Sequence, residues 1–142
     1  MDDPLAIGGD TGADPGARPP GGDGPEGAAP SPGPPLRALY AAYNRRDADS
    51  LLAGLHPDVD WPDGAHRLRG REAVRRYWLE QWGRVRTHDA VTRVAPLADG
   101  RWAVEIAQVV RGLDGSVLST GRFEHRLRIE DGLVRRLDIH PL

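Results

Sequence analysis

Along residues 121–132, GRFEHRLRIEDG, apolar and charged side chains alternate with a period of two. Phe123, His125, Leu127 and Ile129 face one way, and Arg122, Glu124, Arg126 and Arg128 face the other. That is the pattern of a strand with one dry face and one wet face. His125 is the one ionisable side chain in the dry row. Similar runs occupy roughly 86–97, 101–112, 117–130 and 133–140, punctuated by Asp99-Gly100, Asp114-Gly115 and Asp131-Gly132, each a hairpin signal. With no helical crossover between them, these strands are expected to form an antiparallel meander.

Upstream the period changes. Leu36, Leu39, Tyr40 and Tyr43 recur at helical spacing behind Pro34 and Pro35, which suit the opening of a helix. Asp47 or Asp49 is a candidate N-cap for a short second helix carrying Leu51, Leu52 and Leu55, with Pro57 as its stop. In DVDW, Val59 and Trp61 share one side of a short strand. Gly70 precedes a third helix, REAVRRYWLEQW, on which Val74, Tyr77, Trp78, Gln81 and Trp82 form one broad stripe and Gly83 is the stop. An antiparallel sheet buries one face, and the helices must cover it, so the expected fold class is α+β.

Composition divides the chain in two. Residues 1–35 are mostly Gly, Pro, Asp and Ala and hold six acids against Arg18. Such a segment buries too little to offset its ordering entropy and is expected to be a disordered tail; a docking arm is the other reading. All 19 basic residues are arginine, a bias that fits a GC-rich, bacterial genome. The ordered part mixes both signs of charge and shows no basic stripe for nucleic acid. Cysteine is absent, so a disulfide framework and a thiolate metal site are excluded. The acidic first residues resemble neither a secretory nor a transit signal, and no run is apolar enough to span a membrane; a cytoplasmic location is expected.

The order YNRRD, LLAGLHPDVDW, RGREAVRRYW and then a meander finishing in HRLRIEDGLVRRLDI resembles the nuclear transport factor 2-like superfamily, and within it the SnoaL-like branch, over about residues 36–140. The resemblance implies a curved antiparallel sheet wrapped on three N-terminal helices, a cone with a pocket at its open end, in a domain spanning 36–142. It also implies a loose range of functions, from polyketide cyclases, isomerases and epoxide hydrolases to binding domains without catalysis. Against the ketosteroid isomerase pattern, Asp63 falls on the general base. His125 falls on the protonated acid that donates to the oxyanion. The isomerases' tyrosine falls on Leu39; Tyr40 lies ~100° round the helix and Tyr43 one turn further, so steroid isomerisation itself is not expected.

The expected chemistry is cofactor-free acid–base work by Asp63 and His125 on a hydrophobic carbonyl or polyketide-like compound: isomerisation, cyclisation, or hydrolysis through water or an epoxide. The alternative is a domain that binds a small hydrophobic molecule, or pairs two copies, without catalysis. Ala103, Ala107 and Val109 on the sheet's outer face fit a homodimer contact. Trp61, Tyr43, Trp78, Gln108 and Phe123 are the expected ligand contacts. Each has a plainer reading. Pro62-Asp63-Gly64 is itself a turn signal, His125 and the aromatics suit a core, and His66 suits a solvated loop. Gln108 is either wet at a strand end or bonded to His125, a water or a ligand. The five histidines show no ligand spacing, so no metal is expected.

Overall fold

The structure, a computed structural model, describes residues 33–142. The expectation of a disordered tail falls almost wholly on residues outside these. The element order is α1 (Gly33–Asn44), α2 (Ala48–Ala53), β1 (Leu55–Asp63), β2 (His66–Arg69), α3 (Arg71–Trp82), β3 (Val85–Pro96), β4 (Trp102–Gly112), β5 (Val117–Glu130) and β6 (Leu133–Pro141). The six strands form one curved, unclosed sheet in the order β2-β1-β6-β5-β4-β3. Strands β3 to β6 are the expected antiparallel meander. The sheet is nonetheless mixed, because β1 runs parallel to β6. That pairing joins opposite ends of the domain, and no local signal announces it.

Local chemistry explains most boundaries. Asp47 caps α2, its Oδ1 accepting from the Ser50 amide at 3.2 Å. The helix ends at Ala53, earlier than Pro57 suggested, because the Gly54 amide turns back to the Leu51 carbonyl. Pro57 lies inside β1. Leu39 leans on Gly54: a Cβ there would meet Leu39 Cδ1 at 2.7 Å. The residue expected in a loop, His66, is exposed and opens the short strand β2, with Asp63 as its cross-strand partner. Asp131 and Gly132 both take positive φ, 55° and 78°, the backbone of a tight hairpin turn.

The helices lie over one face of the sheet. Leu36, Leu39, Tyr40 and Tyr43 of α1 and Val74, Trp78 and Trp82 of α3 meet Leu55, Val59 and Trp61 of β1 and Val104, Ile106, Leu127 and Leu137 of the meander. The alternation read from residues 121–132 holds, with His125 and Leu127 inside and Arg122 and Arg128 exposed. Arginines tie the scaffold. Arg71 donates to the Leu55 carbonyl at 2.8 and 2.6 Å, and Arg86 to the Trp82 carbonyl at 2.8 Å, so both ends of α3 are held. Asp60 is nearly buried and accepts from Arg67 at 2.7 Å and from Arg136 at 3.1 Å. Among the described residues no helix is long and apolar enough to cross a membrane.

Candidate functional site

Seven polar side chains sit inside this interior: Tyr40 and Tyr43 from α1, Gln81 from α3, Thr87 and Asp89 from β3, Gln108 from β4 and His125 from β5. Their positions follow from phase. Tyr40 and Tyr43 are one turn apart on the face of α1 that meets the sheet. Asp89 and Gln108 are cross-strand partners on the dry face, as are His125 and Val104.

Tyr40 and His125 form the first pair. The Tyr40 hydroxyl lies 2.8 Å from His125 Nδ1, and the rings stack at 5.7 Å and 27°. Both side chains are fully buried. Burial pushes the His125 pKa down from 6.5 to about 3, so the ring is neutral at physiological pH. Burial, and then the charge of Asp89, push the Tyr40 pKa well up, so its hydroxyl keeps its proton. Tautomer assignment follows from counting donors. If Tyr40 donates to Nδ1, one group is left over, the Nε2–H. If Nδ1 donates to Tyr40, the hydroxyl proton and the Nε2 lone pair both go without. The first arrangement costs less. His125 therefore holds an N–H donor in the interior, and Nε2 has no partner among the described residues.

Asp89 and Gln108 form the second pair. Gln108 Nε2 donates to Asp89 Oδ1 at 3.0 Å. The backbone of Asp89 is clamped by Asn44, which donates to its carbonyl at 3.0 Å and accepts from its amide at 2.9 Å. Burial raises the Asp89 pKa well above the usual carboxylate range, partly opposed by the Gln108 hydrogen bond. Asp89 Oδ2 is buried and has no partner among the described residues. Between the two pairs, the Tyr43 hydroxyl donates to Gln81 Oε1. A polar seam thus runs beneath α1, from Asp89 past Tyr43 to Tyr40 and His125.

An aromatic cluster flanks the seam. Trp78 meets Trp61 edge-on at 5.3 Å, Tyr43 edge-on at 6.4 Å, and Trp82 in a stack at 6.1 Å. The indole N–H groups of Trp61 and Trp78 are buried without a partner among the described residues, while that of Trp82 lies near the Tyr43 hydroxyl and makes no well-formed bond there. Buried donors and acceptors without partners cost ~1–3 kcal/mol each. Among the described residues five such atoms fall in this one interior, where native structures leave few polar groups unpaired. Among the described residues, no three His, Asp or Glu side chains converge to hold a metal ion.

A sequence profile of the family described as "SnoaL-like domain" matches residues 36–137. The chain belongs to the SnoaL-like family. Solved structures agree on the fold. One similar structure is a putative polyketide cyclase from Xanthomonas campestris pv. campestris, with TM-score 0.67 and 21% identity, covering 76% of this chain and 87% of that one. Another is TerC co-crystallised with polyporic acid, with TM-score 0.67, 24% identity, and 79% and 92% covered. A third is an epoxide hydrolase, described as LEH-like, from M. tuberculosis, with TM-score 0.65, 17% identity, and 75% of each chain covered. No curated protein matches by sequence.

This SnoaL-like domain brings some of the expected residues together and leaves one apart. Trp61, Tyr43, Trp78, Gln108 and His125 all lie in the buried interior. Phe123 is half-buried, its ring folded over Gly121, where a Cβ would lie 3.1 Å from Phe123 Cε2. Asp63 stands at the end of β1, half-exposed, in the turn that Pro62-Asp63-Gly64 signals. Gln108 is neither wet nor bonded to His125; its partner is Asp89. Two residues escaped the sequence reading. Helical phase places Tyr40 away from the expected tyrosine position, yet Leu39 turns to Gly54 and leaves Tyr40 to meet His125. Asp89 carried the same signal as His125, an ionisable residue in a dry row, here between Thr87 and Val91.

Proposed function

We propose that this domain holds a small hydrophobic molecule bearing a carbonyl in the interior between α1, α3 and the sheet, and catalyses proton transfer beside that carbonyl without a cofactor. The observation that carries the reading is the Tyr40–His125 pair, a fully buried, neutral imidazole whose Nε2–H has no partner among the described residues. Such a preorganised donor in a dry site stabilises an enolate oxygen far better than water would. The carboxylate of Asp63 would take the proton from the adjacent carbon, and the enolate oxygen would accept from His125 Nε2–H.

The register of the sheet supports that pairing. Val59, Trp61 and Asp63 share one face of β1, and the first two are fully buried. Asp60 aligns with Arg136, and three residues beyond Arg136 stands Ile139, the cross-strand partner of His125. Were that register to run on past Asp60, the last residue of β1 paired with β6, Asp63 would stand level with His125 at two strand spacings, roughly 10 Å. The bound molecule of this reading would lie between them. The putative polyketide cyclase and the polyporic acid complex among the similar structures favour an aromatic or polyketide-like ligand.

β-Tetralone, a bicyclic ketone, tests the reading without knowledge of the natural substrate. In deuterated buffer the protein should speed exchange of the protons beside the carbonyl, followed by NMR. Asp63→Asn should slow it about a hundredfold while leaving binding, read from tryptophan fluorescence, in place. Binding with exchange no faster than in buffer would favour the second reading, a ligand-binding domain without chemistry, to which the half-exposed position of Asp63 lends weight.

A further inference from the structure

The outer face of the sheet, away from the helices, sorts its charges by row. On β4, Glu105, Ala107, Val109 and Arg111 alternate with side chains that point inward. Glu105 lies between Arg93 and Glu124 on the neighbouring strands. Each of these acids has an arginine of its own: Arg93 stands 3.6 Å from Glu105, and Arg126 donates to Glu124 at 2.6 Å. Further along β4 the acids stop. Ala107 faces Ala90 and Arg122, Val109 faces His88 and Thr120, and Arg111 faces Arg86 and Val117.

This end of the face is therefore cationic and uncompensated. Arg86 and Arg111 are like charges directly opposite on the ladder, an arrangement that costs stability. Arg86 donates to the neutral Trp82 carbonyl at 2.8 Å, and among the described residues no carboxylate pairs with Arg111 or Arg122. Burial, and then the charge of Arg111, lower the His88 pKa, so that charge is felt across the strand. The floor between the arginines is apolar. Val109 is half-buried, while Val117 and Leu142 stand 55% and 63% exposed. The Leu142 amide donates to the Arg122 carbonyl at 3.0 Å, which sets Leu142 beside Arg122. An apolar floor bordered by arginines suits an extended segment that carries both acids and branched apolar side chains. A second copy centred on the patch would set the same arginines against themselves.

The chain holds such a segment outside the described residues. Residues 2–10 read DDPLAIGGD, with Asp2 and Asp3 before Leu5 and Ile7, and Asp10 after them. The next 22 residues, 11–32, contain no Leu, Ile, Val or aromatic side chain, so the apolar pair is confined to this one place. A stretch of that length reaches up to roughly 70 Å, against a radius of gyration of ~13 Å for a domain of this size. It is long enough to pass from the start of α1 to the opposite face of the sheet. A tethered segment meets its site at an effective concentration on the order of a millimolar, so a weak contact suffices.

We propose that residues 2–10 of this chain dock on the outer face of β3, β4 and β5, their acids against Arg86, Arg111 and Arg122 and their Leu5 and Ile7 over Val109 and Val117. The contact closes this face to other partners. It is independent of the interior site and of the chemistry proposed there.

The chain has no cysteine, so Gly8→Cys accepts a single nitroxide label in the full-length protein. Amide NMR then reads where the label sits. Peaks of Val109, Thr120 and Arg122 should lose about half their height or more, the docked share of a millimolar contact at a millimolar effective concentration. Peaks of α3, on the other side of the sheet, should keep theirs. At about 1 M salt, where charges are screened beyond roughly 3 Å, most of the loss should reverse. Arg111→Glu with Arg122→Glu should abolish it. Asp2→Asn, Asp3→Asn and Asp10→Asn together should do the same without touching any residue of the described fold. Broadening spread evenly over the surface, or confined to this face but indifferent to both sets of charge changes, overturns the proposal. So does broadening of an unlabelled, isotope-enriched chain mixed with the nitroxide chain, which would put another copy's segment on the face.

Discussion

Trp78→Ala is expected to destabilise the fold by about 3–5 kcal/mol, the range for truncating a large buried aromatic. Trp78 is fully buried, and its ring touches Trp61, Tyr43 and Trp82. Removing it takes the centre out of the aromatic cluster and unseats the face of α3 from the sheet. The indole N–H has no partner among the described residues, so it contributes cost rather than stability. Trp78→Phe, which keeps a ring and deletes that N–H, should therefore cost well under half as much. Urea unfolding followed by circular dichroism separates the two. Similar losses in both variants would mean that the indole nitrogen is bonded after all.

The second large effect is on acid stability and belongs to His125. Its pKa is 6.5 when unfolded and about 3 when folded, because burial excludes the charged form. As pH falls below 6.5 the unfolded chain takes up a proton that the folded chain refuses. The stability is thus complete above that pH and is lost as pH drops toward the folded value, at roughly 1.4 kcal/mol per pH unit. By about pH 4.5 the loss is roughly 2–3 kcal/mol. Asp89 works in the opposite sense. Its folded pKa is raised, so its burial destabilises the fold at higher pH, and that penalty is relieved as pH falls toward 3.8. His88, whose pKa burial and then Arg111 lower, adds to the His125 trend. Comparing wild type with His125→Gln removes these shared terms. The variant should lose stability less steeply between neutrality and about pH 4.5. Parallel curves would mean that His125 can be protonated in the folded state.

Both effects come from side chains whose type was plain in the sequence and whose partners were not. The helix 71–82, the three Asp-Gly hairpin turns and the inward row through His125 follow from local periodicity and turn chemistry, and the structure keeps them. The strand β2 spans only four residues, too short for alternation to announce it. The parallel pairing of β1 with β6 depends on closure of the whole chain. The same limit governs the site. His125 could be picked out as an intruder on a dry face, but that Tyr40 rather than Leu39 meets it depends on how α1 leans against Gly54. Asp89 and Gln108 become a pair only through the register of β3 on β4, which neither strand encodes alone. Asp63 reads more readily as a turn residue than as a base, and its place at the end of β1, before Gly64, is that of a turn.

The most direct test is the nitrogen NMR spectrum of the His125 ring, recorded through mildly acidic to neutral pH, without and with saturating β-tetralone. The account predicts a neutral ring throughout, with its proton on Nε2, and an Nε2–H resonance that moves when the ketone binds. A proton on Nδ1, or an Nε2–H signal indifferent to bound ketone, would contradict it and leave His125 as a core residue held by Tyr40.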